Sequence, residues 1–271
     1  MLELKENLKI YWQDSKIAEI KPGKNYLNPV IKLFIDDTLE DNDFSNLKLS
    51  IENWIEKEKQ KHLSDLISIE KTSLKNSLAR GLAYQLFENN GVLNRETASN
   101  MIKNLNKEER YELRKKGIKI GKYHIYQPRM IRPNAVKFKT ILWKCFNSTK
   151  EMSYPNFGIN FLKNFKNKNK NFLRICGFET FGNFIIRVDI LERLFIEIIN
   201  RSKDYKFKLD SKILNLLGCT KDDFINFIKL IGYKVINEEN EPEFKYLPKK
   251  IRKNKEKKAT NAFSVLENYK I

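Results

Sequence analysis

Apolar residues recur at three- and four-residue spacing over much of the chain, which is the pattern of amphipathic α-helices. The longest such stretch runs from Asp43 to Glu70 and is broken once. Shorter helices are predicted at Leu74 to Asn89, Asn94 to Leu105, Asn106 to Gly117 and Asn134 to Phe146. Apolar and polar residues alternate at Leu8 to Ile20, and short apolar runs flank Gly182-Asn183 within Phe178 to Val188, so two β-hairpins are expected. The fold class is therefore α+β, mainly α with short hairpins.

Polar residues and glycines mark the ends of several helices. Asn106, with Glu109 three residues later, has the spacing of a capping box, and Gly91 suits a left-handed helix end. Asp189 with Glu192 is interpreted in the same way as a helix start.

Two short helices follow near the C-terminal end, one from Asp210 to Gly218 and one from Thr220 to Gly232. A strand at Tyr233 to Ile236 comes directly after them. Two helices joined by a short Gly-containing turn and followed by a strand favour a small winged-helix-like unit.

Composition and punctuation divide the chain into five segments. They are a hairpin segment (1–35), a helical domain with a basic Gly/Pro-containing loop (36–147), an Asn- and Lys-rich linker (148–171), the hairpin plus helix-turn-helix-like unit (172–237) and a basic disordered tail (238–271).

The net charge of the chain limits the classes of molecule that it is expected to bind. Its 271 residues include 52 Lys and Arg against 34 Asp and Glu, for a formal net charge of +18. The stretch from Arg114 to Lys144 holds ten of the basic residues and no acid, with aromatic residues between them. Cations suited to phosphates and rings suited to bases predict nucleic acid as the partner.

Eight residues of this stretch are candidate nucleic-acid contacts. The predicted phosphate contacts are Lys119, Lys122, Arg129, Arg132, Lys137 and Lys139, and the predicted stacking residues are Tyr123 and Tyr126. A purely structural role for these residues stays open as an alternative, since lysines commonly cover solvated helix faces and aromatic residues commonly belong to cores. Arg114, Lys115 and Lys116 are explained by the C-terminal dipole of their helix.

The sequence offers no catalytic or metal-binding pattern. The string from Gly117 to Tyr123 has the wrong spacing for a phosphate-binding loop, and the three cysteines are too far apart for a zinc site or a disulfide framework. His124 is the one candidate general base, but its place between Tyr123 and Tyr126 favours a packed, structural role. No cofactor is assigned, and without an apolar run or signal sequence we expect a cytoplasmic protein with no membrane partner.

Four strings resemble the C-terminal region of the long superfamily 2 helicases of alphaproteobacteria, which are related to RNA helicases of the mitochondrial degradosome. They are ARGLAYQLFENNGVL (79–93), GIKIGKYHIYQPRMIRP (117–133), IIRVDILERL (185–194) and LLGCTKDDFINFIKLIGY (216–233). They occur in the family order and span most of the chain. The family builds its ATPase from two upstream RecA-like domains, whose motifs are absent here. The resemblance therefore implies an accessory region, with ATP and Mg²⁺ bound only by a helicase core acting in trans.

Three functional hypotheses follow. The first is a non-catalytic nucleic-acid-binding accessory region of a helicase, gripping RNA or DNA. The second is a protein-interaction adaptor for a helicase or nuclease complex, which would use the amphipathic helices. The third is a nucleic-acid hydrolase, which depends on His124 and scattered carboxylates alone.

Overall fold

The computed structural model describes residues 2–34, 41–70, 74, 76–149, 152–237 and 242–246. Helices and small antiparallel sheets make up this part of the chain, so the α+β class is confirmed. Most of the predicted tail, residues 238–241 and 247–271, lies outside the described residues.

The chain begins with a four-stranded antiparallel sheet. Its strands are β1 (Leu2–Leu4), β2 (Lys9–Trp12), β3 (Ser15–Lys21) and β4 (Val30–Leu33), in the order β1-β2-β3-β4. Strands β2 and β3 form the predicted hairpin, with Trp12 paired to Ser15. Gln13 and Asp14 both have positive φ at its turn, as two-residue hairpin turns require.

Helices α1 (Asp41–Glu70) and α2 (Ser77–Glu88) share a core with this sheet. The predicted break in α1 is present at Leu63, whose backbone is not helical. The second helix begins at Ser77 and not at Leu74, because the side chain of Asn76 accepts a hydrogen bond from the backbone N–H of Leu78 and caps it.

A small sheet and three helices follow. The elements are β5 (Val92–Asn94), α3 (Ser99–Asn104), α4 (Lys107–Lys115), β6 (Lys119–Ile120), β7 (His124–Tyr126), a 3-10 turn (Pro128–Ile131) and α5 (Pro133–Phe146), with sheet order β5-β7-β6. The capping box of Asn106 and Glu109 is confirmed. Asn94 does not start a helix. It ends β5, and its side chain accepts from the N–H of Glu96 in the following turn.

The predicted linker is wrong in part. It contains β8 (Phe161–Lys163) and the start of α6 (Lys170–Ile175). Strand β8 pairs with β10 (Phe184–Arg187), which also pairs with β9 (Phe178–Phe181) in the expected hairpin. Phe161 is buried opposite Ile186 and packs on the rings of Phe184 and Phe227. The Asn and Lys residues that surround it in the sequence hid this apolar position.

The C-terminal unit packs around a second core. Its elements are α7 (Val188–Arg201), β11 (Lys206–Lys208), α8 (Ser211–Leu217), α9 (Lys221–Leu230), β12 (Tyr233–Asn237) and β13 (Glu243–Tyr246), with sheet order β11-β13-β12. Asp210 and Thr220 cap α8 and α9 as expected. The predicted unit ended too early, because β13, assigned to the tail, is the central strand of this sheet.

Candidate nucleic-acid interface

The turn between β6 and β7 is anchored to α7 by one buried carboxylate. Glu192, which is 3% exposed, accepts hydrogen bonds from the backbone N–H groups of Lys122, Tyr123 (2.9 Å) and His124 (2.7 Å). Gly121 makes this approach possible, since a Cβ there would collide with the same carboxylate. Glu192 therefore does not cap its own helix, as the sequence had suggested, but fixes the backbone that carries Lys122 and Tyr123.

His124 lies in a buried ionic network below this turn. The side chain is 2% exposed, its Nδ1 is 3.2 Å from Glu192, and its Nε2 is 2.9 Å from Glu179. Arg174 also contacts Glu179, at 3.3 Å. Both ring nitrogens face carboxylates, so neither is open to a substrate, and the expected packed role of His124 is confirmed.

The charges in this network support one another. Burial by itself disfavours the imidazolium, but the hydrogen bonds to Glu179 and Glu192 outweigh it and raise the pKa of His124. Burial likewise opposes ionisation of the two glutamates, yet their hydrogen bonds, that to His124 foremost, lower their pKa values. The network thus favours the imidazolium form of His124 between the two carboxylates, and its contacts join β7 to β9 and α7.

An aromatic cavity of about 480 Å³ opens above the anchored turn. Rings line it from three elements (α7, β12 and β13) and two turns, with a lysine at one side. The lining consists of Lys122, Tyr123, Phe195, Ile199, Ser202, Asp204, Tyr205, Tyr233 and Tyr246. Such a set of rings beside a cation is the composition that proteins use to stack nucleobases and hold their phosphates.

The rings are arranged so that most are fixed and one is free to contact a ligand. Tyr123 packs on Phe195 with ring centroids 4.0 Å apart, and Tyr233 packs on Tyr246 at 5.0 Å. Tyr205 is 69% exposed at the edge of the cavity. Burial raises the pKa of Tyr123 and of Tyr233, so these phenols stay neutral and add no negative charge to the cavity.

Two predicted contacts are wrong, because their side chains are interior. Lys139 is fully buried, and its Nζ donates to the carbonyl oxygen of Asn90 at 2.9 Å. Tyr126 is 6% exposed and packs with Val92 and Val188. Strand β7 is the middle strand of its sheet with both faces covered, so its residues are buried regardless of their alternation.

The remaining predicted cations are exposed but dispersed. Lys119 and Arg132 reach solvent, Arg129 pairs with Asp65 of α1 at 3.2 Å, and Lys137 lies 5.4 Å from the ring of Phe157. None of these four lines the aromatic cavity. Only Lys122 and Tyr123 of the predicted set come together there.

Four aromatic residues of the cavity were not predicted from the sequence. Phe195 looks like an ordinary core position of an amphipathic helix, while Tyr205, Tyr233 and Tyr246 belong to short elements far along the chain. The one feature of the sequence that could have indicated the cavity is the presence of tyrosines at the ends of the C-terminal strands, where Tyr233 pairs with Tyr246.

In the part of the chain that the structure describes, no group of three or more His, Cys, Asp or Glu side chains is placed to hold a metal ion. None of the helices described has the length and apolar character needed to cross a membrane. Comparison with protein-family models, with curated proteins and with solved structures found no match to this chain.

Proposed function

We propose that this chain is a non-catalytic nucleic-acid-binding module that grips single-stranded RNA or DNA. The aromatic cavity carries the proposal, because it combines Lys122 with the rings of Tyr123, Tyr205, Tyr233 and Tyr246 in one opening. Stacking on aromatic rings tolerates any base and contributes about 1 to 3 kcal/mol per base. The formal net charge of +18 adds long-range attraction for phosphates.

The proposed module belongs with a helicase as its accessory region. This part of the proposal depends on the resemblance of the four strings to the C-terminal region of superfamily 2 helicases. The helicase core would act in trans and would bind the ATP and Mg²⁺. The exposed cations Lys119, Arg129, Arg132 and Lys137 would extend the attraction for phosphates beyond the cavity.

The C-terminal unit is proposed to be a winged-helix-like domain. Its order of helix, strand, two helices and two strands, with the last strand central, supports this assignment. The short connection between α8 and α9 contains Gly218 with φ of 71°, as helix-turn-helix turns often do.

A direct test is binding of fluorescently labelled 12-nucleotide single strands of RNA and DNA, and of duplex, across a salt series. The variant Tyr205→Ala removes an exposed cavity ring and should weaken single-strand binding about 10-fold, whereas Tyr205→Phe keeps the ring and should bind as wild type. Tyr84→Ala is the matched control, since Tyr84 is 62% exposed on α2 and does not line the cavity.

The outcome separates the two hypotheses that remain. Wild-type chain that retains no nucleic acid at moderate salt, or equal affinity of Tyr205→Ala and Tyr84→Ala, would contradict the proposal. The protein-interaction adaptor would then be favoured, because Ile196 on α7 is 54% exposed and lies outside the cavity. An adaptor should form salt-insensitive complexes with a protein partner that Ile196→Lys disrupts.

A further inference from the structure

Three lysines form a row across the C-terminal sheet. Lys206 of β11 is paired with Lys245 of β13, and Lys245 is paired in turn with Lys234 of β12. The neighbouring positions Phe207 and Phe244 are buried in the core. Because side chains alternate between the two faces of a strand, the three lysines point away from the core on the outer face.

This row is unfavourable for the isolated chain. Like charges directly opposite one another on neighbouring strands destabilise a sheet. The strands lie about 4.8 Å apart, so the Cα atoms of the three lysines fall within about 10 Å. Among the described residues, no ion pair of the structure includes Lys206, Lys234 or Lys245. Glu243 on this face is opposite Lys208 at the other end of β13, and Asp204, Asp210 and Glu243 line one surface pocket with Lys206. A bound polyanion would offset the repulsion.

The lysine row is next to the aromatic cavity. The residues next to these lysines in the chain are Tyr205, in the turn before β11, Tyr246 on β13 and Tyr233 on β12. Tyr233 pairs with Tyr246, and the N–H of Tyr246 donates to the carbonyl oxygen of Tyr205 at 2.9 Å. These tyrosines line the cavity. Consecutive strand residues face opposite sides, so Tyr233 and Tyr246 face away from Lys234 and Lys245, and the cavity and the lysines occupy the two faces of one end of the sheet.

We propose that Lys206, Lys245 and Lys234 bind the phosphates of the nucleic-acid strand whose base occupies the cavity. This inference rests on the proposed function. A row of about 10 Å spans about three nucleotide steps at a rise of about 3.4 Å per nucleotide of one strand, so each lysine has a phosphate within reach. The strand passes over the end of the sheet from the rings to the lysines. Lysine contacts to phosphates carry no base information, so this site takes RNA and DNA alike.

The experiment replaces the row in the full chain with Lys206→Gln, Lys234→Gln and Lys245→Gln together. The control is Lys57→Gln, Lys103→Gln and Lys107→Gln, which removes the same charge from exposed positions on α1, α3 and α4. Both are measured with labelled 12-nucleotide oligo-uridine and oligo-thymidine over a salt series. Thermal melting is followed alongside, and the row variant should melt no lower than wild type because the substitution relieves repulsion.

The row variant should lose about 10-fold in affinity at low salt. The slope of log K against log salt concentration should become shallower by about 2. Each phosphate contact on a single strand contributes roughly 0.7 to this slope, and the variant loses three contacts. The control should lose little of either. A row variant that matches the control in affinity and slope overturns this inference. The proposed function stands in that case if Tyr205→Ala still weakens binding, whereas both proposals fail if the wild-type chain does not bind.

Discussion

Glu192 holds His124 at two points, accepting the backbone N–H of His124 at 2.7 Å and facing its ring Nδ1 at 3.2 Å. The two residues are 68 positions apart in the sequence. One carboxylate thus ties the β6–β7 turn to α7, and the same turn supplies Lys122 and Tyr123 to the cavity. The stability of the buried network and the shape of the candidate site are therefore linked.

Gly121→Ala should destabilise the chain and disturb the cavity. The added Cβ would collide with the carboxylate of Glu192 and lie 2.9 Å from the carbonyl oxygen of His124. We expect a loss of about 1 to 3 kcal/mol in the free energy of unfolding, measured by urea denaturation, with weaker nucleic-acid binding. Gly81→Ala is the control. Gly81 lies within α2, and its added Cβ would meet only the side chain of Met101, at 3.8 Å, so this substitution should stabilise the helix. Equal stability of the two variants would contradict the anchoring role of Gly121.

The contribution of His124 to stability should depend on pH. Its pKa is raised above 6.5 in the folded chain, so its contribution is complete below pH 6.5 and is lost as pH rises through the raised value. The pKa values of Glu179 and Glu192 are lowered, so their contribution is present above about pH 4.5 and is lost as pH falls through the lowered values. The difference in unfolding free energy between wild type and His124→Gln should be largest near pH 5 to 6.5 and smaller at pH 9. A difference that does not change with pH would exclude an imidazolium here.

The stability difference between wild type and Lys139→Met should grow as pH rises, which is opposite to the trend expected for His124→Gln. Burial lowers the pKa of Lys139 to about 7, against 10.5 for an ordinary lysine. Between these values the unfolded chain binds the additional proton, so the folded wild type gains stability as pH rises, by at most about 1.4 kcal/mol per pH unit. Wild type should therefore become more stable relative to Lys139→Met from pH 7 to pH 10 in urea denaturation. If Lys139 stays charged in the folded chain, the unfolding free energies of the two chains will change with pH in parallel from pH 7 to pH 10.

The boundary of the C-terminal unit can be tested by truncation. A chain ending after Glu243 lacks Phe244, which is fully buried and stacks on Phe207 at 5.1 Å in the central strand. Loss of a buried phenylalanine alone costs about 3 to 5 kcal/mol, so this chain should lose the near-ultraviolet circular dichroism and protease resistance of the unit. A chain ending after Tyr246 keeps the whole strand and should retain both. Equal protease resistance of the two would place β13 outside the cooperative fold.

Local chemistry made much of the secondary structure predictable. The capping box of Asn106 and Glu109, the caps at Asp210 and Thr220, and the break in α1 depend on neighbours within a few residues, and the sequence displays them directly. The hairpin of β2 and β3 is predictable for the same reason. Strands β8 and β13 were missed because three or four residues hold too little periodicity to stand out from polar surroundings.

Of the candidate site, only Lys122 and Tyr123 were predictable from the sequence. The sequence by itself determined that the chain is basic, that its cations and rings are interleaved from Arg114 to Lys144, and where most helices begin and end. The tertiary structure decided that Lys139 and Tyr126 are interior, because burial depends on what covers both faces of an element. It also brought Phe195, Tyr205, Tyr233 and Tyr246 to Tyr123, since such a cavity requires contacts between residues up to 123 positions apart, which no local pattern records.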